Sequence, residues 1–276
     1  MRTVDLPGGE TIPCLGQGTW KMAERADRRA DEIAALRTGI DLGMTLLDTA
    51  EMYGEGAAEH LVGEAITGLR DGVFLVSKAY PHNASRERLS RSCEASLRRL
   101  GTDRIDLYLL HWRGSVPLAE TIEAMEALQR AGKIRYWGVS NLDSDDMVEL
   151  VEAGGAGCAT NQILYNLTRR GPEHLLLPWL ADQHMTAMAY SPVEQGRLVR
   201  NNILSGIASD LGLSPAQVAL AWTLRQPRVI AIPKAGRVSH VRENRAAADV
   251  VLDESVLGRL DAAFPAPRAR VALEML

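Results

Sequence analysis

The chain has 276 residues, of which 46% are hydrophobic and 24% charged, with a net charge of −4 and a pI near 5.9. This length is normal for one α/β barrel, and the composition is that of a globular protein with a large core. The acidic balance argues against a nucleic-acid partner, which usually requires a basic surface. No apolar run approaches the roughly 20 residues of a membrane span, and the first residues lack the apolar core of a signal peptide.

The cysteines and histidines predict neither a disulfide framework nor a metal site. Cys14, Cys93 and Cys158 are odd in number and far apart, and no two histidines form a His-x-His pair. A metal-dependent hydrolase built on a barrel is therefore a weak alternative. The simplest interpretation is a reduced, cytoplasmic protein without a metal, and we expect it to be a monomer or a weak dimer.

Strands and helices alternate along almost the whole chain. Residues 3–12, with Pro7, Gly8 and Gly9 between two short alternating segments, predict a β-hairpin. Strands are then predicted over residues 14–17, 44–48, 73–78, 105–111, 134–140, 158–162, 186–190 and 228–233. The predicted helices cover residues 27–43, 89–100, 117–132, 143–152, 173–184, 214–226, 238–248 and 253–264, and a short irregular tail follows.

Alternating βα units of this length and number favour a parallel barrel over an open doubly wound sheet. An open sheet normally carries a glycine-rich phosphate turn after its first strand, but the motif at Gly16 and Gly18 lacks both a third glycine and an immediate helix. The sequence therefore predicts one α/β domain over residues 1–276. We expect a (β/α)8 TIM barrel whose bottom is plugged by the N-terminal β-hairpin, with an extra C-terminal helix.

Polar or reactive residues stand at the ends of the predicted strands. Asp48, Lys78 and His111 end three consecutive strands, and later strand ends carry Ser140, Asn141, Gln162, Tyr190, Ser191 and Lys234. The carboxyl ends of the strands form the face on which a barrel of this type carries its active site. These residues are therefore the first candidates for a functional site.

Asp48, Tyr53, Lys78 and His111 form the group with the clearest chemistry. Tyrosine has an unperturbed pKa of about 10 and is a poor acid near neutrality, but a buried lysine beside it should lower that pKa. Asp48 would keep Lys78 charged, and a neutral His111 can donate a hydrogen bond to a carbonyl oxygen. Alone, each residue is more often a cap, an ion pair or a packing residue. Together they suit proton donation to a new alkoxide, and hence carbonyl reduction with a hydride from another molecule.

Seven segments resemble the aldo-keto reductase superfamily, in the same order and at familiar spacings. They are LLDTAEMYGEG, LVSKAY, DLYLLHW, WGVSN, TNQ, AYSP and IPKAGRVSHVREN. The resemblance extends from the hairpin to the last helix. Within the superfamily, GQGTW, DTAEMYG, KIRYWGVSN and IPKA look most similar to bacterial enzymes that reduce methylglyoxal and other small aldehydes.

The resemblance implies a catalytic role for each member of the group. Tyr53 is implied as the proton donor, Lys78 and Asp48 as the pair that tunes it, and His111 as the residue that orients the carbonyl. A small-molecule carbonyl compound is the implied substrate. The residues implied for the walls of the substrate pocket are Trp20, Tyr80 and Trp112.

The resemblance also implies NADPH as the cofactor and names the residues that hold it. Ser140, Asn141 and Gln162 are implied to bind the nicotinamide amide, Tyr190 to stack on its ring, and Lys234 to face the 2′-phosphate. The full set implied for cofactor binding is Thr19, Trp20, Ser140, Asn141, Gln162, Tyr190, Ser191, Pro192, Val193, Gln195, Ile232, Pro233, Lys234, Ala235, Arg237, His240, Glu243 and Asn244.

Two positions depart from the pattern of the superfamily. Ala235 stands where a serine often follows the lysine, and His240 stands where many NADPH-dependent members have an arginine. A neutral imidazole lacks the fixed charge and the forked donors of a guanidinium. Arg237 and Arg242 are the nearby cations that would have to compensate. We therefore expect a weaker preference for NADPH, with NADH accepted as well.

The leading hypothesis is an NADPH-dependent oxidoreductase that reduces aldehydes and some ketones, including small 2-oxoaldehydes such as methylglyoxal. The loops after the fourth and seventh strands and the tail are short, which predicts an open pocket and a broad substrate range. The alternative is a nucleotide-sensing regulatory binding subunit of the same fold. The four intact residues of the catalytic group favour turnover.

Overall fold

A β-hairpin covers the bottom of the molecule in the computed structural model, which describes residues 1–276. Its antiparallel strands are β1 (Thr3–Asp5) and β2 (Thr11–Pro13). Val4 and Ile12 are buried in the same apolar cluster as the side chains that fill the barrel. Glu10 forms a salt bridge of 2.6 Å with Arg135, which lies near the beginning of a barrel strand. These contacts confirm the predicted hairpin and its place beneath the barrel.

The barrel consists of eight parallel strands. They are β3 (Gln17–Gly18), β4 (Leu46–Asp48), β5 (Phe74–Ala79), β6 (Ile105–Leu110), β7 (Ile134–Ser140), β8 (Thr160–Leu164), β9 (Thr186–Tyr190) and β10 (Val229–Ala231). Each strand pairs with the next strand in sequence. Parallel bridges from Leu15 to Ala231 and from Gly18 to Lys234 join the first strand to the last and close the barrel. The predicted (β/α)8 fold is confirmed.

Ten helices surround the sheet. They are α1 (Arg29–Asp41), α2 (Ala57–Ala65), α3 (Arg86–Leu100), α4 (Leu118–Arg130), α5 (Ser144–Glu152), α6 (Leu176–Asp182), α7 (Asn202–Asp210), α8 (Pro215–Leu224), α9 (Val238–Ala247) and the extra C-terminal helix α10 (Glu254–Ala263). α8 begins as its sequence predicts, because Ser214 and Gln217 form a capping box and Pro215 occupies the first turn. No single helix is both long and apolar enough to cross a membrane; α7 and α8 meet those criteria only as a pair, across a bend of 86°.

The structure differs from the sequence prediction most clearly in four elements. β3 covers Gln17–Gly18 instead of residues 14–17. β8 lies two residues further along than predicted, because Ile163 and Leu164 continue the pairing with Ala189 and Tyr190 of β9. Gln162 is therefore inside a strand rather than at its end. The helices α2 and α7 were not predicted. Both are only nine residues long and contain a glycine, Gly63 or Gly206, which weakens the assignment of a helix from sequence.

Candidate active site

The alternation of side chains along the strands directs three reactive residues into the barrel. On β5, Val76 belongs to the interior cluster and Leu75 to the cluster under the helices, so Lys78 points inward. By the same period, Asp48 and His111 point inward at the ends of the neighbouring strands. All three are buried, with exposed fractions of 0% for Lys78, 2% for Asp48 and 7% for His111.

Lys78 connects the members of the predicted catalytic group. Its Nζ donates hydrogen bonds to Asp48 Oδ2 at 2.8 Å, to the backbone oxygen of Thr49 at 2.9 Å and to the hydroxyl of Tyr53 at 3.2 Å. These bonds use all three protons of an ammonium group. The Tyr53 hydroxyl is thus an acceptor toward Lys78, and its own proton remains free for another acceptor.

The pKa of Tyr53 differs from the sequence expectation. Burial raises this pKa well above its usual value, and the Asp48 carboxylate raises it further. The net pKa is thus raised and not lowered, because burial of the phenol outweighs the charge of Lys78, which Asp48 offsets at 2.8 Å. The desolvation of a phenolate therefore dominates. Tyr53 is held as a protonated phenol.

His111 is a neutral hydrogen-bond donor in this environment. Burial, and then the charge of Lys78, lowers its pKa to about 2. Its Nδ1 is buried without a hydrogen-bond partner. A buried N–H without a partner costs more than a buried acceptor lone pair, so we assign the proton to Nε2. The ring of Tyr53 lies 5.8 Å from the ring of His111, edge to face. The Tyr53 hydroxyl and the His111 Nε2 proton can therefore donate to the same part of the cavity.

Gln162 links the catalytic group to the rest of the site. Its Nε2 donates to Asp48 Oδ1 at 2.7 Å, while Lys78 occupies the other carboxylate oxygen, and it also lies 2.9 Å from the sulfur of Met188. The orientation of the Gln162 amide is set by these contacts. Its Oε1 has no hydrogen-bond partner in the protein and is available to a molecule in the cavity.

A cavity of about 850 Å³ opens above these residues at the carboxyl ends of the strands. It contains most of the residues proposed from the sequence. Those that line it are Trp20, Asp48, Tyr53, His111, Trp112, Ser140, Asn141, Gln162, Tyr190, Ser191, Pro192, Val193, Gln195, Ile232, Pro233, Lys234, His240, Glu243 and Asn244. The described chain contains no cluster of three or more His, Cys, Asp or Glu side chains suited to a metal.

The sequence also matches known proteins along its whole length. The model of the aldo/keto reductase family matches residues 14–264. This chain belongs to the aldo/keto reductase family. Methylglyoxal reductase YeaE of Escherichia coli strain K12 is 53% identical over 281 residues, covering 100% of this chain and 99% of the relative.

Two crystal structures of aldo/keto reductases from Klebsiella pneumoniae resemble this aldo/keto reductase closely. One, in complex with NADP and acetate, has a TM-score of 0.97 at 51% identity and covers 99% of both chains. The other, in complex with NADPH, has a TM-score of 0.97 at 50% identity and covers 100% of this chain and 99% of its own.

Five residues proposed for the site do not line the cavity of this aldo/keto reductase. Lys78 lies beneath Tyr53, and Thr19 is buried with its hydroxyl bonded to the backbone oxygen of Asp48 at 3.0 Å. The ring of Tyr80 packs edge-on against Trp112 at 5.9 Å and stacks on His82 at 4.9 Å, so it supports a wall rather than forming one. The remaining two are Ala235, which is buried, and Arg237, whose side chain is exposed.

The end of the cavity near α9 contains the residues expected to face a phosphate. Lys234 is exposed there and makes no salt bridge. His240 also lines this end, whereas neither Arg237 nor Arg242 does, and no arginine lines the cavity at all. Of the two positions that depart from the superfamily pattern, His240 reaches the cavity and Ala235 does not.

The segment after β9, which the resemblance implies as part of the cofactor site, has a strained backbone. Ser191, Glu194 and Gln195 have left-handed φ values of 49°, 50° and 53°, which are costly for residues other than glycine. The buried Glu194 carboxylate holds this conformation by accepting hydrogen bonds from Asn166 at 2.7 Å and from Arg169 at 2.9 Å. Strain held in place by a buried ion pair is typical of a functional loop.

Further residues of the cavity were missed. The missed residues are Gly18, Lys21, Met52, Gly196, Val199, Pro215, Ala216, Met275 and Leu276. Lys21 and Met52 adjoin predicted residues and could have been included on that ground. Met275 and Leu276 had no signal in the sequence, because long-range ion pairs place the tail: Arg270 binds Asp145 at 2.7 Å.

Proposed function

We propose that this aldo/keto reductase reduces aldehydes and some ketones to alcohols with NADPH, and that small 2-oxoaldehydes such as methylglyoxal are among its substrates. The observation that carries the proposal is the position of the Tyr53 hydroxyl at the cavity, 3.2 Å from Nζ of Lys78, from which it accepts a hydrogen bond while its own proton stays free. The relative named methylglyoxal reductase is 53% identical over the whole chain, which supports this substrate class.

The residues of the cavity fit NADPH. Gln162 Oε1 lacks a partner and suits the carboxamide of a nicotinamide, beside the ring of Tyr190. Lys234 is an unpaired cation near the other end and suits a phosphate. The two relatives crystallised with NADP and NADPH support the assignment. When bound, NADPH supplies the hydride for the carbonyl carbon.

The protein's own residues control the carbonyl oxygen and the proton. His111 donates a hydrogen bond from Nε2 to the carbonyl oxygen, and Tyr53 gives that oxygen its proton. Proton transfer is favourable because an alkoxide is more basic than a phenolate. Lys78 then stabilises the phenolate through its hydrogen bond of 3.2 Å, and Asp48 keeps the ammonium charged.

An assay of NADPH oxidation with a panel of carbonyl compounds tests this proposal. We expect turnover of methylglyoxal and of other small aldehydes, and slower turnover when NADH replaces NADPH. Binding of NADPH without turnover of any carbonyl would contradict the proposal and favour a nucleotide-sensing binding subunit. The same panel with Tyr53→Phe identifies any activity that does not depend on the proposed proton donor.

We also propose that residues 1–276 act as one catalytic domain. The barrel strands extend from Gln17 to Ala231, and the tail returns to the cavity at Met275 and Leu276. A complete site therefore needs nearly the whole chain. Limited proteolysis is the test, and we expect that no fragment of residues 1–276 keeps carbonyl reduction.

A further inference from the structure

A second buried carboxylate, Glu59, lies outside the cavity and has no part in the proton transfer described above. It is carried by α2, and its side chain is completely buried. Its Oε1 accepts a hydrogen bond of 2.6 Å from the hydroxyl of Ser77, and its Oε2 accepts one of 2.5 Å from Nε of Arg99 on α3. A charge removed from water to this degree is costly unless it is paired, and Arg99 supplies the pairing.

The bond to Ser77 places the negative charge directly behind the catalytic lysine. Ser77 and Lys78 are adjacent on β5, so their side chains point to opposite faces of the sheet. Ser77 points outward to Glu59, while Lys78 points inward to Asp48 and Tyr53. Burial lowers the pKa of Lys78, and the charges of Asp48 and then Glu59 oppose that effect.

The bond to Arg99 connects the same carboxylate to the turn that carries Tyr53. This turn ends at Gly56, which has a φ of 91°. A Cβ added to Gly56 would lie 2.5 Å from Cδ of Arg99, so the arginine stem packs directly on the backbone of the turn. Glu59 lies on α2, three residues after Gly56. Its salt bridge with Arg99 holds the arginine against the turn. One carboxylate thus touches the supports of both Lys78 and Tyr53.

No other titratable group near Glu59 supplies the same negative charge behind Lys78. Lys78 faces Asp48 on β4, Tyr53 in the turn and the neutral His111 after β6. Around Glu59, burial raises the pKa of Cys93 to about 12 and the pKa of Tyr108 well above its usual value, so both stay neutral. A further carboxylate, Glu51, accepts hydrogen bonds from Ser92, Asn83 and the backbone N–H of Tyr80.

We propose that Glu59 is a positioning residue for the reaction: its buried charge supports the ammonium of Lys78 from behind the barrel wall, and its bond to Arg99 fixes the turn that presents Tyr53. The importance of Glu59 for catalysis rests on the proposed reductase function. Its effect on Lys78 does not, because it can be measured without substrate or cofactor.

Titration of Lys78 by NMR is the direct test, and the chain suits it because Lys21, Lys78, Lys133 and Lys234 are its only lysines. With lysine labelled at Cε, the Lys78 signal is assigned by its loss in Lys78→Met. In Glu59→Gln we expect the pKa of Lys78 to fall by roughly half a unit or more, because a removed negative charge disfavours the ammonium. The alkaline limit of carbonyl reduction should move to lower pH by a similar amount.

Two control variants separate the charge from general damage to the fold. Ser77→Ala removes one hydrogen bond but leaves the charge of Glu59, so the pKa of Lys78 should stay within experimental error. Glu173→Gln breaks the ion pairs with Arg170 and Arg225, which lie away from the cavity. This variant should also leave the pKa of Lys78 unchanged. A loss of activity in Glu59→Gln at every pH, with Lys78 titrating as in the wild type, would show a purely structural role and overturn the proposal.

Arg99→Gln decides the matter if Glu59→Gln does not fold. This variant leaves the negative charge without its guanidinium, so the pKa of Lys78 should rise instead of falling. No change in Arg99→Gln, or failure of both variants to fold, would overturn the proposal in favour of a structural ion pair. If no carbonyl is reduced by the wild type, the proposed function fails, while the lysine titration still decides whether Glu59 acts on Lys78.

Discussion

At the scale of the residue, the site is organised by the direction of each hydrogen bond around Tyr53. Lys78 donates its three protons to Asp48, Thr49 and Tyr53, so the phenol can only donate its own proton away from the lysine. The single acidic proton that is free and buried at the cavity therefore belongs to Tyr53. Lys78 stabilises the phenolate after transfer and so opposes the rise in the Tyr53 pKa, but burial outweighs this effect and the net pKa stays raised.

Replacing the donor gives the simplest prediction at this scale. Tyr53→Phe removes the transferable proton and keeps the ring, which is T-shaped against His111. We expect turnover to fall by at least about 10²-fold, the lower range for general acid catalysis. The dissociation constant for NADPH, measured by fluorescence, should change little. Retention of most activity would mean that another acid protonates the alkoxide.

The raised and lowered pKa values predict the pH profile of reduction. His111, with its pKa lowered to about 2, stays neutral and donates at every working pH. Tyr53 stays protonated because burial raises its pKa. The value of kcat/KM for carbonyl reduction should therefore be nearly flat between about pH 5 and 9, without the midpoint near 6.5 of an ordinary histidine. An acidic limb close to that midpoint would show that His111 titrates and is less desolvated than its burial indicates.

Coenzyme choice depends on one residue at the far end of the cavity. His240 reaches the cavity beside Lys234, and no arginine does. His240→Arg should tighten NADPH by roughly 1–2 kcal/mol, or about tenfold, as expected for an added hydrogen bond to a charged group. NADH, which lacks the 2′-phosphate, should bind as before. Arg242→Ala is the matched control, and an equal effect of both substitutions would place the phosphate elsewhere.

At the scale of the element, the strands could be located from the sequence, whereas the backbone conformation of the segment after β9 could not. Period-2 alternation and apolar runs identify β5 and β6, and with them Lys78 and His111. The segment after β9 depends on left-handed residues that only the contacts of Glu194 with Asn166 and Arg169 can hold. Such long-range partners leave no local pattern. The same reason explains the missed tail.

The loop after β9 gives the prediction for this scale. Glu194→Gln removes the charge that holds Arg169 and Arg197, so the strained conformation should open. We expect the dissociation constant for NADPH to rise roughly tenfold, a loss of about 1.4 kcal/mol, and backbone amides 191–197 to exchange faster. Asp71→Asn is the control, since it removes only an exposed ion pair with Arg104, ahead of β5 and β6 at the opposite end of the barrel. Equal exchange in both variants would mean that Glu194 does not hold the loop.

At the scale of the whole molecule, the two ends of the barrel have separate tasks. The carboxyl ends of the strands carry the cavity, whereas the opposite end is closed by the hairpin and by charged pairs such as Glu10 with Arg135. In barrels of this type, residues at the bottom serve stability and residues at the top serve catalysis. A substitution at the bottom should therefore change the free energy of unfolding and leave the reaction intact.

Arg2 offers the sharpest test of this separation. Its guanidinium donates to the backbone oxygens of Leu224, Gln226 and Pro227, and so ties the hairpin to the end of α8. Arg2→Ala should lower the free energy of unfolding by roughly 1–3 kcal/mol, the range for hydrogen bonds to a charged group, and lower Tm by several degrees.

The matched control is Arg25→Ala, which breaks an exposed pair with Asp27 and should cost less than about 1 kcal/mol. Denaturant unfolding and kcat/KM measured on the same preparations check both halves of the prediction. A stable Arg2→Ala protein would mean that the hairpin is held by its apolar side alone, and an altered kcat/KM would mean that the two ends of the barrel are coupled.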